Sequence, residues 1–265
     1  MGFFKSIKLI ESLLETVAPE RNVHQRDRHR RTPLLYATVQ GDLQTVQWLV
    51  HNTNADINAR YYFGVTALHC AAAKGHFDIV KWLIEEKGGD VNATIDDGWT
   101  ALHCAAAGGQ LDIVKWLVEE KRGDVNATTN DGRTALHWAA DHGHLDIVKW
   151  LVEEKGGDVN ETTDNGWTAL HCAAMEGHLD IVKWVEEKGG DFNATTDDGR
   201  TALHCAAEYG ALDIVRWLVE ERNMNIYAID NEGRTAFDVA WRGEVSDYLS
   251  CAPGCGEIVR SMGSR

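Results

Sequence analysis

No stretch of this chain is apolar for anything near the roughly 18 residues that a membrane-spanning helix needs, although 44% of its 265 residues are hydrophobic. A secretory leader is not expected either. Residues 1–20 carry Lys5, Lys8, Glu11 and Glu15 among their apolar residues and show no small-residue cleavage site. Cysteine is sparse, and four of the six, Cys70, Cys104, Cys172 and Cys205, hold one position of a recurring phrase whose fourth copy has Trp138 there instead. Equivalent positions in stacked helical layers stand about 8–10 Å apart, farther than a disulfide tolerates. These cysteines are therefore expected to be reduced packing thiols, which suits a cytoplasmic setting and equally a nuclear one. Cys251 and Cys255 lack the second pair that would complete a zinc signature.

Positive charge is scarce as well, with 26 Lys and Arg against 41 Asp and Glu and a net charge of −15. Residues 1–31 hold seven basic and four acidic side chains, leaving 19 against 37 for the rest. Such a body repels nucleic acid and anionic membrane, so only the N-terminal segment could attract either.

What the chain does have is a phrase. Thr66-Ala-Leu-His69-Cys-Ala-Ala72 returns at Thr100, Thr134, Thr168 and Thr201, at spacings of 34, 34, 34 and 33 residues. Thr32-Pro33-Leu34 is a forerunner and Thr235-Ala-Phe237 a fading copy. Self-similarity at this period predicts a solenoid of stacked units, one elongated domain that lengthens without enlarging a single core. Within a unit, Thr100 is placed to cap a first helix, with His103 reaching back as the glutamate of a capping box does. Ala105 and Ala106 allow close helix approach, and Gly109 ends the helix in a left-handed conformation. A second helix follows, with Asp112 in its first turn and Ile113, Val114, Leu117 and Val118 as its apolar stripe. Asp124–Arg133 then forms a connection whose Asp131-Gly132 marks a tight turn.

Thr-x-Leu-His-x-Ala-Ala, Gly-His-x-Asp-Ile-Val and Asp-Val-Asn-Ala, all in register, closely resemble the ankyrin repeat over residues 22–250. The resemblance implies an all-α ankyrin-repeat solenoid of stacked helix-turn-helix units with β-hairpin-like fingers, elongated and curved. Residues 1–31 are expected to form an amphipathic helix and a degenerate capping half-repeat. Residues 32–250 are expected to form the repeat domain, with six full repeats starting near 32, 66, 100, 134, 168 and 201 and a C-terminal capping unit at 235–250. Residues 251–265 are expected to be a loose tail. Three departures from the family pattern stand out. Proline after the capping threonine survives only as Pro33, and alanine replaces it elsewhere. The fifth copy is one residue shorter, so its second helix or the loop behind it is expected to lose a residue. The aspartate usual at the start of the finger turn is Tyr61, Ile95, Thr129, Thr163, Thr196 and Ile229, which is expected to weaken a turn hydrogen bond.

Catalysis is not expected. Five of the twelve histidines recur at one step of the phrase, as a capping residue must and a catalytic residue has no reason to. His137, Asp141, His142 and His144 make a cluster of potential metal ligands, but two of them belong to the repeat frame. Neither a metal nor a cofactor is expected.

In proteins of this family the partner-facing residues lie at the finger tips and just beyond the alanines of the first helix, on a concave surface. Here these are Tyr62, Phe63, Val65 and Lys74; Trp99; Arg133, Asp141 and His142; Trp167, Met175 and Glu176; Arg200, Glu208 and Tyr209; and Arg234. They vary while the frame does not, and they are rich in the residue types that anchor interfaces. Trp99, Arg133, Trp167 and Arg200 alternate before the capping threonine, and two readings stand: fingers stacked by cation–π contact, or a row of anchors for a partner. The regular series Trp48, Trp82, Trp116, Trp150, Trp184 and Trp217 reads as packing. The expected function is a monomeric, non-catalytic scaffold or adaptor for a protein or peptide. Two alternatives are a membrane-attached adaptor using Gly2 acylation and residues 1–18, and a nuclear regulator using Arg21, Arg26, Arg28, Arg30 and Arg31.

Overall fold

In the computed structural model the described residues are 32–53, 55–240 and 243–251. The N-terminal helix, Gly2, the arginine cluster and Cys255 lie outside them. The chain divides into two compact units, residues 1–130 and 131–265. Fourteen α-helices and no strand occur among the described residues.

The first unit contains α1 (Pro33–Val39), α2 (Leu43–Thr53), α3 (Ala67–Lys74), α4 (Phe77–Glu85), α5 (Ala101–Ala107) and α6 (Leu111–Glu119). Each odd-numbered helix packs on the even-numbered helix that follows it, and α1, α3 and α5 pack side by side in order. The second unit repeats the arrangement with α7 (Ala135–Asp141), α8 (Leu145–Glu153), α9 (Ala169–Glu176), α10 (Leu179–Glu187), α11 (Ala202–Tyr209), α12 (Leu212–Glu220), α13 (Ala236–Val239) and α14 (Glu244–Cys251). Cys251 is the last residue of α14.

Helices of seven to nine residues are marginal on their own, so packing holds them. The first helices bring small side chains into the layer, and Ala71, Ala72, Ala105, Ala106, Ala173 and Ala174 are fully buried. Each second helix adds an apolar stripe such as Ile147, Val148 and Leu151, 0–2% exposed. Cys70, Cys104, Cys172 and Cys205 are free and buried, and burial pushes the Cys70 and Cys205 thiols up to about 12, which leaves them unreactive. On the second helices, Trp82, Trp116, Trp150 and Trp184 are 7–9% exposed, and each carries a lysine over its ring, five residues on in the first three and four residues on, Lys188, in the shortened copy. Trp48 departs from the series at 55% exposure.

The shortened fifth copy keeps its helix. α10 has nine residues like α6, α8 and α12; the missing residue comes from the turn. Elsewhere the turn closes with a bond six residues back, as from Gly157 N to the Leu151 carbonyl, whereas Gly190 N reaches five back to Val185.

Fingers are joined by single backbone bonds from one to the next: Asp96 N to Phe63 O and Asn130 N to Asp97 O in the first unit, Asp164 N to Asp131 O, Asp197 N to Asn165 O and Asn231 N to Asp198 O in the second. This is too sparse a pattern to make strands. Glycine is required at Gly98, where φ is +81° and a Cβ would lie 2.9 Å from the Asn130 nitrogen that the neighbouring finger brings in.

In two fingers a threonine makes the turn hydrogen bond in place of aspartate. Thr163 Oγ1 accepts from Trp167 N at 3.1 Å, and Thr196 Oγ1 from Arg200 N at 3.2 Å. In the last finger the residue at this place is Asp230, not Ile229. Asp230 N donates to Arg234 O as Thr196 N does to Arg200 O, and its carboxylate accepts from Arg234 N at 2.9 Å. Ile229 stands one residue earlier, 62% exposed.

Candidate functional site: the finger and first-helix face

The face is set by the caps beneath it. Thr100 N donates to His103 Nδ1 at 3.1 Å and the Thr100 hydroxyl lies 2.9 Å from the same nitrogen, while His103 Nε2 donates to the Ala127 carbonyl at 2.9 Å. A nitrogen that accepts a backbone N–H carries no proton, so the ring is neutral with its hydrogen on Nε2. Thr134 with His137, Thr168 with His171 and Thr201 with His204 repeat this geometry. Burial lowers His69, His137 and His171 to about 4. Each histidine clamps the start of its helix to the connection that leads to the next finger, which fixes where that finger stands. In the last unit Asp238 takes the role, accepting from Thr235 N at 2.8 Å.

Burial sorts the fifteen residues assigned to the face from the sequence. In the first unit, Tyr62 and Phe63 are 41% and 46% exposed on a 3-10 turn, and Lys74 is exposed at the end of α3. Val65 and Trp99 are buried, and the Trp99 ring rests 6.3 Å from that of its own capping residue His103. In the second unit Tyr209 is the exposed residue, at 56%. Arg133, His142, Trp167, Glu176, Arg200, Glu208 and Arg234 are half-buried, and Asp141 and Met175 are buried.

The finger arginines of the second unit turn back onto their own repeats. Arg133 Nη1 is 3.4 Å from Asp141 and Nε 3.3 Å from Asp131, with its guanidinium 4.7 Å from the Trp138 ring. Arg200 pairs with Glu208, and Arg234 holds Asp230 at 2.8 Å. The Trp167 ring lies 6.1 Å from that of His171. Asp131 and Asp230, which hold these arginines, escaped the sequence reading because both sit in turn positions; the signal was present in Asp131-x-Arg133 and in the four-residue step from Asp230 to Arg234.

Electrostatics follow the pairing. Burial pushes the Asp141 carboxyl above the usual range, although Arg133 and His142 oppose it. Burial, then Asp141, raise Glu176, and burial, then Glu208, raise Tyr209. His142 Nδ1 stands 3.4 Å from Asp141, but no group of three His, Cys, Asp or Glu residues among those described converges as metal ligands.

Helical pairs stacked side by side within each unit, most of them clamped by a histidine cap, with a finger running on from one pair to the next, define a repeat protein. The chain belongs to the ankyrin repeat family: it matches the ankyrin repeat over residues 29–62, three-copy ankyrin arrays over 54–129, 88–163 and 121–196, and a many-copy array over 185–240. Among solved structures it is similar to the human ASB11 ankyrin repeat domain, at 24% identity and a TM-score of 0.67, over 84% of this chain and 99% of that one. That similarity establishes the fold. No curated protein matches the chain. Ankyrin repeats are generally protein–protein interaction modules.

Proposed function

We propose that this protein is a non-catalytic scaffold that holds a protein or peptide on the finger and first-helix face. The observation that carries the reading is the exposure of Tyr62 and Phe63 at a finger of the first unit and of Tyr209 at the end of a first helix in the second. Large aromatic side chains left in water at positions that differ from repeat to repeat have no packing role, and aromatics are the residues that most often carry interface energy.

The test is a capture experiment with the full chain. The triple change Tyr62→Ala, Phe63→Ala and Tyr209→Ala is expected to abolish retention of the bound partner while moving the melting midpoint by only a few degrees, since all three side chains are exposed. Lys81→Ala with Lys183→Ala, exposed changes on the second helices, is expected to leave capture intact. Retention by the triple variant would refute the reading.

A further inference from the structure

The fingers place a glycine at the same step of every copy, and the residue before it is Phe63, Asp97, Asp131, Asn165, Asp198 or Glu232. Asn165 is the one amide in this row and the only asparagine of the chain that precedes glycine. Asparagine is a chemically labile side chain, and the following residue sets how labile. The next main-chain nitrogen can attack the side-chain amide carbon and close a five-membered imide, and glycine, having no Cβ, leaves that approach open. Asn165 is exposed, so solvent reaches its amide.

What limits the reaction is the turn. Gly166 N donates to the Thr163 carbonyl at 2.9 Å, Thr163 N donates to the Trp167 carbonyl at 2.8 Å, and Thr163 Oγ1 accepts from Trp167 N at 3.1 Å. These bonds close the finger across residues 163–167. The attacking nitrogen has to give up its bond to Thr163 and lose its proton before it can reach the Asn165 side chain, so the finger must open first. Exposed loops open locally at well below the free energy of global unfolding.

We infer that Asn165 is a site of spontaneous deamidation, reached when this finger opens. Gly166 N loses its proton to hydroxide and bonds to Asn165 Cγ, the Cγ–Nδ2 bond breaks, and Nδ2 leaves as ammonia. Water then opens the imide. Cleavage between Gly166 N and Cγ gives aspartate; cleavage between Gly166 N and the main-chain carbonyl carbon gives isoaspartate, whose chain runs on through Cγ. Aspartate here matches Asp131 and Asp198, the residues at this step in the flanking fingers. Asp131 has Arg133 two residues on, 3.3 Å away, whereas residue 165 has Trp167 there, so either product adds a negative charge that its own finger does not neutralise. Isoaspartate also lengthens the turn by a main-chain carbon and puts a free carboxylate where Asp197 N now meets the Asn165 carbonyl at 3.0 Å. The inference goes beyond the scaffold reading and does not depend on it.

The test uses the full chain, incubated near neutral pH and body temperature in native buffer and in concentrated urea, and read by intact mass and peptide mapping. In native buffer the exchange of NH2 for OH is expected to accumulate on the peptide that contains Asn165 before any other, as a mixture of aspartate and isoaspartate. Urea, which opens the turn, is expected to speed it roughly tenfold. Thr163→Ala removes one closing bond and is expected to react several-fold faster than wild type in native buffer but at the wild-type rate in urea. Thr163→Ser, which keeps the hydroxyl, is expected to stay near wild type in both, with circular dichroism checking that both variants are folded at the incubation temperature. Asn165→Gln, whose longer side chain disfavours ring closure, is expected to abolish the change. A folded chain that stays unmodified while the urea sample reacts would overturn the inference, as would reaction first at another asparagine. Equal wild-type rates in native buffer and urea would overturn the gating by the turn without recourse to any substitution, and so would equal native rates for wild type and a folded Thr163→Ala.

Discussion

The capping histidine is the residue on which most of the fold turns, and its chemistry sets a pH limit. His69, His137 and His171 are held neutral, each with a folded pKa near 4 against 6.5 when exposed, and His204 is lowered too. Protonation would place a hydrogen on the Nδ1 atom that accepts from the threonine. The unfolded chain takes up these protons first, so the histidine contribution is complete above pH 6.5. It is lost as pH falls from 6.5 toward 4 and changes little below that. Each histidine costs up to about 1.4 kcal/mol of stability per pH unit in this window, so urea midpoints measured between pH 7 and 4.5 are expected to fall steeply. A flat profile would mean that the rings are not buried neutral. A His171→Gln variant, whose amide can supply one donor and one acceptor, is expected to be less stable at pH 7 but to show a shallower pH slope.

At the scale of the element, the turn behind each second helix needs one left-handed residue. Glycine provides it at Gly88, Gly156 and Gly189, but Arg122 and Asn223 adopt φ of +57° and +51° in the equivalent turns. Nothing lies within 4 Å of a Cβ built at Gly88 or Gly156, so the cost at Arg122 is backbone strain rather than a clash. Asparagine tolerates this conformation and arginine does not. Arg122→Gly is therefore expected to raise stability by roughly 1 kcal/mol, read as a higher melting midpoint. Gly98→Ala should lower it by more, because there the close approach of the next finger adds to the strain. The fingers show what replacing aspartate does: Thr163 and Thr196 still accept the turn N–H, at 3.1 and 3.2 Å against 2.9 Å for Asp230, because a hydroxyl reaches the nitrogen four residues on, whereas the side chain of Ile95 has no acceptor to offer. Asp230, and not Ile229, matches these residues in the sequence too, since it stands five residues before Thr235 as Thr196 does before Thr201, and its backbone bond to Arg234 agrees.

Over the whole molecule, charge of one sign dominates. Cross-repeat ion pairs run along the second helices, Lys121 with Glu85 and Lys188 with Glu153, both at 2.7 Å. Pairs this exposed contribute little each, whereas a net −15 repels itself throughout. Raising NaCl from about 10 to 150 mM is therefore expected to increase stability in chemical denaturation, since screening relieves the larger, repulsive term. A decrease would show that the ion-pair ladder outweighs the net repulsion.

The period, the caps, the alanine faces and the set of variable positions were all legible in the sequence, because a repeat writes the same local rule at every turn of the chain and any departure shows against it. Thr-Ala-Leu-His specifies a capped helix wherever it occurs, and the family follows from that. What the sequence left open was the use of each variable side chain. Trp99, Val65 and Met175 stand in the same rows as half-buried residues yet are buried, and the finger arginines turn to carboxylates of their own repeats. Both outcomes depend on distances that arise only when successive helices lie side by side.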